Sequence, residues 1–164
     1  MEIIRAKHMG FCFGVSGAIE TCYNVLKEPE NLGKKIYILG MLVHNEYVVK
    51  KLEKEGFETI EENDILEKRD KLKNGDIVII RAHGTSEKVY NILKEKNIKI
   101  YDATCIFVTQ IRKTLIEMEA KGYEILFVGD KEHPEVKGII SFGKNIRVFK
   151  NLEEIINAEI EIAF

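Results

Sequence analysis

The chain has 164 residues, 45% of them hydrophobic and 32% charged, enough apolar material for one ordinary core or two small ones. Its 25 basic and 27 acidic residues leave a formal net charge of −2 and are interspersed, so no basic face or tail points to nucleic acid or a membrane surface. The longest nearly apolar run, Ile36 to Val43, is too short to span a bilayer, and the first six residues lack the form of a secretory leader, which implies a cytoplasmic protein.

Along the chain, β-branched runs alternate with segments of helical period, the pattern of an α/β protein with mainly parallel sheets. A first strand is expected at Glu2–Ala6, followed by Gly10-Phe11-Cys12-Phe13-Gly14-Val15 and a helix over Val15–Lys27. A second strand, Lys35–Leu39, leads through His44 into a helix at Asn45–Glu55, and a third follows at Phe57–Ile60. The fourth, Asp76–Arg81, runs into His83-Gly84-Thr85-Ser86 and a helix over Ser86–Lys96. The fifth, Ile98–Tyr101, ends at Asp102-Ala103-Thr104-Cys105 before a helix at Phe107–Lys121. Glu124–Val128 is the sixth, and its loop carries His133 and Glu135 around a helix start at Pro134. Arg147–Phe149, a helix at Asn151–Asn157 and a last strand at Glu159–Ala163 complete the chain. The βα pattern restarts at Asp102, which divides the chain into αβ domains at 1–101 and 102–164.

Cys12, His44, His83, Cys105, His133 and Glu135 all fall on the carboxyl-terminal sides of expected strands, where open α/β sheets bind ligands. Three cysteines at wide spacing argue against a disulfide framework. Cys12 and Cys105 each stand before a helix, where the dipole favours thiolate; shared metal ligation and a buried structural role are both open. Cys22, within the first helix, reads as a packing residue. His44 and His83, beside residues that cap helices, suit an anion such as phosphate or a structural hydrogen bond, whereas His8 has no such setting. His133 and Glu135 suit acid–base chemistry, with a first-turn carboxylate as the plain alternative for Glu135.

Taken in order, Gly10-Phe11-Cys12-Phe13-Gly14-Val15, Val43-His44-Asn45, Arg81-Ala82-His83-Gly84-Thr85-Ser86, Asp102-Ala103-Thr104-Cys105 and His133-Pro134-Glu135-Val136-Lys137-Gly138 closely resemble the 4-hydroxy-3-methylbut-2-enyl diphosphate reductase family, also called LytB or IspH. The resemblance implies the first two of three pseudo-equivalent, sandwich-like αβ domains. It implies reductive removal of an allylic hydroxyl as water, giving isopentenyl and dimethylallyl diphosphates on the methylerythritol phosphate route. The implied cofactor is a 4Fe-4S cluster held by three cysteines, two of which match Cys12 and Cys105. His44, His83 and His133 match substrate-binding positions, and Glu135, with His133 beside it, matches the proton relay. The implied electron donor is a ferredoxin or flavodoxin.

The chain departs from the family pattern at Ser16-Gly17, where a basic residue commonly precedes the Ala18-Ile19 pair, and at Ile106, where Pro usually follows the second cysteine. The family's third cysteine, and the hydroxyl and amide side chains that complete its diphosphate grip, would come from a region after Phe164. Three readings follow: a truncated reductase, a non-catalytic diphosphate-binding module of the same family, and, most remotely, a zinc-dependent hydrolase using the same Cys and His residues.

Overall fold

The structure, a computed structural model, describes residues 2–7, 9–67 and 71–158. His8 and the strand expected at Glu159–Ala163 lie outside the described residues. Four strands, β1 (Ile36–Leu39), β2 (Glu58–Ile60), β3 (Ile77–Ile80) and β4 (Lys99–Asp102), form one sheet in the order β2-β1-β3-β4, and every pairing is parallel. The central strands, Ile36-Tyr37-Ile38-Leu39 and Ile77-Val78-Ile79-Ile80, are buried along their whole length, as strands covered on both faces must be.

Successive side chains point to opposite faces of a strand, so each central strand feeds two separate cores. Ile36, Ile38, Ile77 and Ile79 meet Ala18, Cys22 and Val25 from α1 (Phe13–Lys27) and Val48 and Leu52 from α2 (Glu46–Lys54). Tyr37, Leu39, Val78 and Ile80 meet Ile65 from α3 (Glu62–Glu67) and Val89, Ile92 and Leu93 from α4 (Glu87–Glu95). Burying each such aliphatic side chain stabilises the fold by roughly 1.5–3 kcal/mol, so these two layers dominate stability.

A second, two-stranded parallel sheet joins β5 (Ile125–Val128) and β6 (Ile146–Phe149). Its helices are α5 (Ile106–Ala120), α6 (Pro134–Ile140) and α7 (Leu152–Asn157). Its core is smaller, with Val108, Leu115 and Ile139 buried and Ile125, Phe127 and Ile146 packed against them. The two sheets are tied together through α4: the Ser141 hydroxyl accepts from the Glu87 amide at 2.9 Å, the Tyr90 and Phe142 rings stand 5.9 Å apart, and the Arg112 guanidinium lies 5.5 Å over the Tyr90 ring.

An α/β chain with parallel sheets is thus the observed class, and most element bounds fall within two residues of those read from the sequence. The exception is Glu2–Ala6. Among the described residues these join no ladder, and Ile3 and Ile4 are 76% and 85% exposed; β-branched composition describes a surface ready to pair and does not supply the neighbouring strand. The short α3 was not anticipated, because Glu62, Asp64 and Glu67 leave it too few apolar positions to show a helical period.

Candidate functional site

Hydrogen bonding continues past the carboxyl ends of the strands. The Ala82 amide donates to the Leu42 carbonyl at 3.1 Å, and the Cys105 amide donates to the Ala82 carbonyl at 2.9 Å. Three consecutive loops, carrying His44 after β1, His83 after β3 and Cys105 after β4, are therefore stitched side by side, with no freedom to drift apart. Sheet geometry alone brings residues distant in sequence into one row, as expected for the ligand-binding edge of a parallel sheet.

The imidazoles of His44 and His83 lie with ring centroids 4.4 Å apart, and that of His133 lies 6.4 Å from His83. A cleft of about 300 Å³ opens beside them, walled by Phe11, Val15, Val43, His44, Ala82 and His83. His44 and His133 are exposed and His83 is half-buried. Burial first, and then electrostatic repulsion involving His44, Arg81 and His133, pushes the His83 imidazole down to about 4 from its ordinary 6.5. Burial is the main reason the ring stays neutral, and the Arg81 guanidinium is the permanent positive charge near it, favourable to an anion.

His133 is also the N-cap of α6: its Nδ1 accepts from the Glu135 amide at 3.2 Å. That bond fixes the tautomer, leaving the Nε2–H free as a donor toward a ligand. Glu135 follows in the first turn of the same helix and is partly buried. The two hydroxyls after His83 serve other ends. Ser86 caps nothing; its Oγ donates to Glu62 Oε1 at 2.7 Å. Thr85 is 1% exposed, and its Oγ1 has no hydrogen-bond partner. Asn45 caps α2 by accepting from the Val48 amide at 3.1 Å.

Cys12 and Cys105 are the N-cap residues of α1 and α5, and neither side chain is used for capping. The two helix ends meet. A Cβ added at Gly14 would lie 2.7 Å from the Cys105 Sγ, and the Phe13 and Phe107 rings make an edge-to-face contact at 5.6 Å. Cys12 is exposed and Cys105 partly so, while Cys22 is buried in the core, where its thiol is pushed up to about 12 from an ordinary 9.0. Two thiols at converging helix N-termini fit the donor chemistry of an iron–sulfur cluster. They fit it in part only, because among the described residues no group of three His, Cys, Asp or Glu side chains is arranged to hold a metal ion.

The residues that wall the cleft, Phe11, Val15 and Val43, were not singled out from the sequence, although Phe11 and Val15 belong to the same glycine-bounded motif as Cys12. Glu62, which reaches the His83 loop from another element, left no local signal at all.

Comparison with known proteins gives a consistent result. The LytB protein family matches residues 3–163. A 4-hydroxy-3-methylbut-2-enyl diphosphate reductase of Fusobacterium nucleatum subsp. nucleatum is 53% identical over 162 residues, covering 99% of this chain and 19% of that protein. The enzyme of the same name from Thermoanaerobacter sp. is 45% identical over 139 residues, covering 85% of this chain and 46% of the relative. The solved structure of the E-1-hydroxy-2-methyl-but-2-enyl-4-diphosphate reductase from Plasmodium falciparum superposes with a TM-score of 0.79 at 33% identity, covering 94% of this chain and 45% of that one. The chain therefore spans half or less of the length of each of these relatives. With a family match running almost end to end and the same fold in a solved relative, the chain belongs to the LytB family.

Proposed function

We propose that this chain forms the cluster-bearing and diphosphate-binding part of a cytoplasmic 4-hydroxy-3-methylbut-2-enyl diphosphate reductase, with αβ domains at 1–101 and 102–164. The observation that carries the reading is the convergence of three imidazoles, His44, His83 and His133, on the strand edge whose neighbouring helix ends bear Cys12 and Cys105. His44 and His83 bind the diphosphate, donating to its oxygens. His133 donates from Nε2 toward the substrate between its phosphate and hydroxyl ends, its other nitrogen being committed to α6. Glu135 holds the proton delivered to the departing hydroxyl, which makes water the leaving group. Phe11, Val15 and Val43 supply an apolar wall suited to the isoprenoid carbons and keep bulk water off them.

Cys12 and Cys105 would hold a 4Fe-4S cluster, which when bound supplies electrons and a Lewis-acidic iron; the electrons would come from a ferredoxin or flavodoxin. Anaerobic iron–sulfur reconstitution, followed by visible absorption and iron counting, tests the assignment. Colour should depend on Cys12 and Cys105, survive Cys22→Ser, and survive Glu135→Gln while reduction of the allylic diphosphate is lost. Retained turnover in Glu135→Gln would remove the proton relay. The lack of a three-donor group among the described residues favours a second reading, a non-catalytic diphosphate-binding module. A colourless, iron-free chain that binds the allylic diphosphate tightly would establish that reading instead.

A further inference from the structure

The loop that presents His83 is clamped by a charged network assembled from three separate segments. Arg81, the residue after β3, is largely buried, and its guanidinium lies across Gly40, where an added Cβ would come within 2.7 Å of Arg81 Nη1. Gly40 also has a φ of +61°, so both its conformation and its missing side chain make room for the arginine. Arg81 Nε donates to the Gly84 carbonyl at 3.3 Å, and Nη2 stands 3.6 Å from Glu62 Oε2. The other carboxylate oxygen of Glu62 accepts from the Ser86 hydroxyl at 2.7 Å. Glu62 thus grips both ends of the segment from Arg81 to Ser86, and His83 lies between the two attachments.

We propose that Glu62, at the start of α3, is a positioning residue for diphosphate binding: it fixes the Arg81–Ser86 loop so that the His83 imidazole stays beside that of His44, with ring centroids 4.4 Å apart. The inference rests on the diphosphate reading of that site. Glu62 touches neither imidazole. Its carboxylate is partly shielded from water, a setting in which a charge-assisted hydrogen bond and an ion pair hold geometry better than exposed contacts do. A chain end freed at Ser86 would let the loop sample conformations in which the two imidazoles no longer face one anion, and affinity would fall by the population lost.

The test uses the full chain, with inorganic pyrophosphate as the probe. Glu62→Ala should shift the His83 imidazole resonances while leaving the melting temperature and far-ultraviolet spectrum near those of the unaltered chain. Its pyrophosphate affinity should fall by about tenfold, equivalent to one well-made polar contact. Glu62→Gln, which still accepts from Ser86, should restore most of the affinity and the imidazole signature. Ser86→Ala, a smaller change at the other end of the same bond, should reproduce the Glu62→Ala shift and covers the case in which Glu62→Ala fails to fold. Unmoved His83 resonances in both alanine variants overturn the positioning role, whether or not pyrophosphate binds. If the unaltered chain fails to bind pyrophosphate, the diphosphate reading falls and this role with it, even where the imidazole shift shows that the clamp is real.

Discussion

Among the histidines of the site, His83 is the one whose chemistry is clearly altered by its surroundings. Burial first, and then repulsion from neighbouring groups, Arg81 among them, holds the imidazole down at about 4 against an ordinary 6.5. Between those two values the unfolded chain binds a proton at this position that the folded chain refuses, so the contribution of this group to stability is full above pH 6.5 and is lost as the pH falls toward 4. Denaturant unfolding at several pH values should show this slope, and His83→Gln, which cannot titrate, should flatten it. An unchanged slope would mean that other groups govern acid stability. An anion seated between the imidazoles reverses the balance by favouring the protonated ring, so pyrophosphate should shallow the same slope in the unaltered chain.

Among the elements, the meeting of α1 and α5 is the most tightly specified. Gly14 is helical, so its importance comes from space and not from backbone freedom: a Cβ there would collide with the Cys105 sulfur. Because a cysteine side chain can rotate away, Gly14→Ala should cost less than about 1.5 kcal/mol, well below a large core change, yet move the thiol. Thermal unfolding paired with the rate of Cys105 alkylation should separate the two effects. A large loss of melting temperature with unaltered thiol reactivity would show that the backbone had yielded instead.

Much at this scale was legible beforehand, for physical reasons. Ile36–Leu39 and Ile77–Ile80 announce doubly covered strands because nothing in them tolerates water, and the placement of His44, His83 and Cys105 after such strands follows from chain order. Glu2–Ala6 looked the same locally but pairs with no strand among the described residues. The Glu62 clamp was invisible because it joins residues 24 apart in sequence through tertiary packing, and neither partner's own neighbourhood hints at the other.

For the whole molecule, the contrast between the two sheets sets where it yields first. The four-stranded sheet is packed on both faces, whereas β5 is only partly buried and packs, among the described residues, on a smaller core of Val108, Leu115 and Ile139. Hydrogen exchange should therefore find the slowest amides in β1 and β3 and faster ones in β5 and β6. Ile79→Ala, in the middle of the larger sheet, should cost roughly 2–5 kcal/mol. Uniform protection across both sheets would mean that the chain unfolds as a single unit.

Strand order also has a consequence in time. The four-stranded sheet is finished only when β4 takes its place beside β3, and Cys105 comes three residues after that strand, with its amide bonded to the loop that follows β3. A ribosome delivers the amino-terminal residues first, so Cys12 emerges well before Cys105 and waits as a thiol without that partner. Closure of the sheet and arrival of the second thiol are then one event. Until that moment nascent chains display a single reactive sulfur at this edge, and afterwards they display a pair.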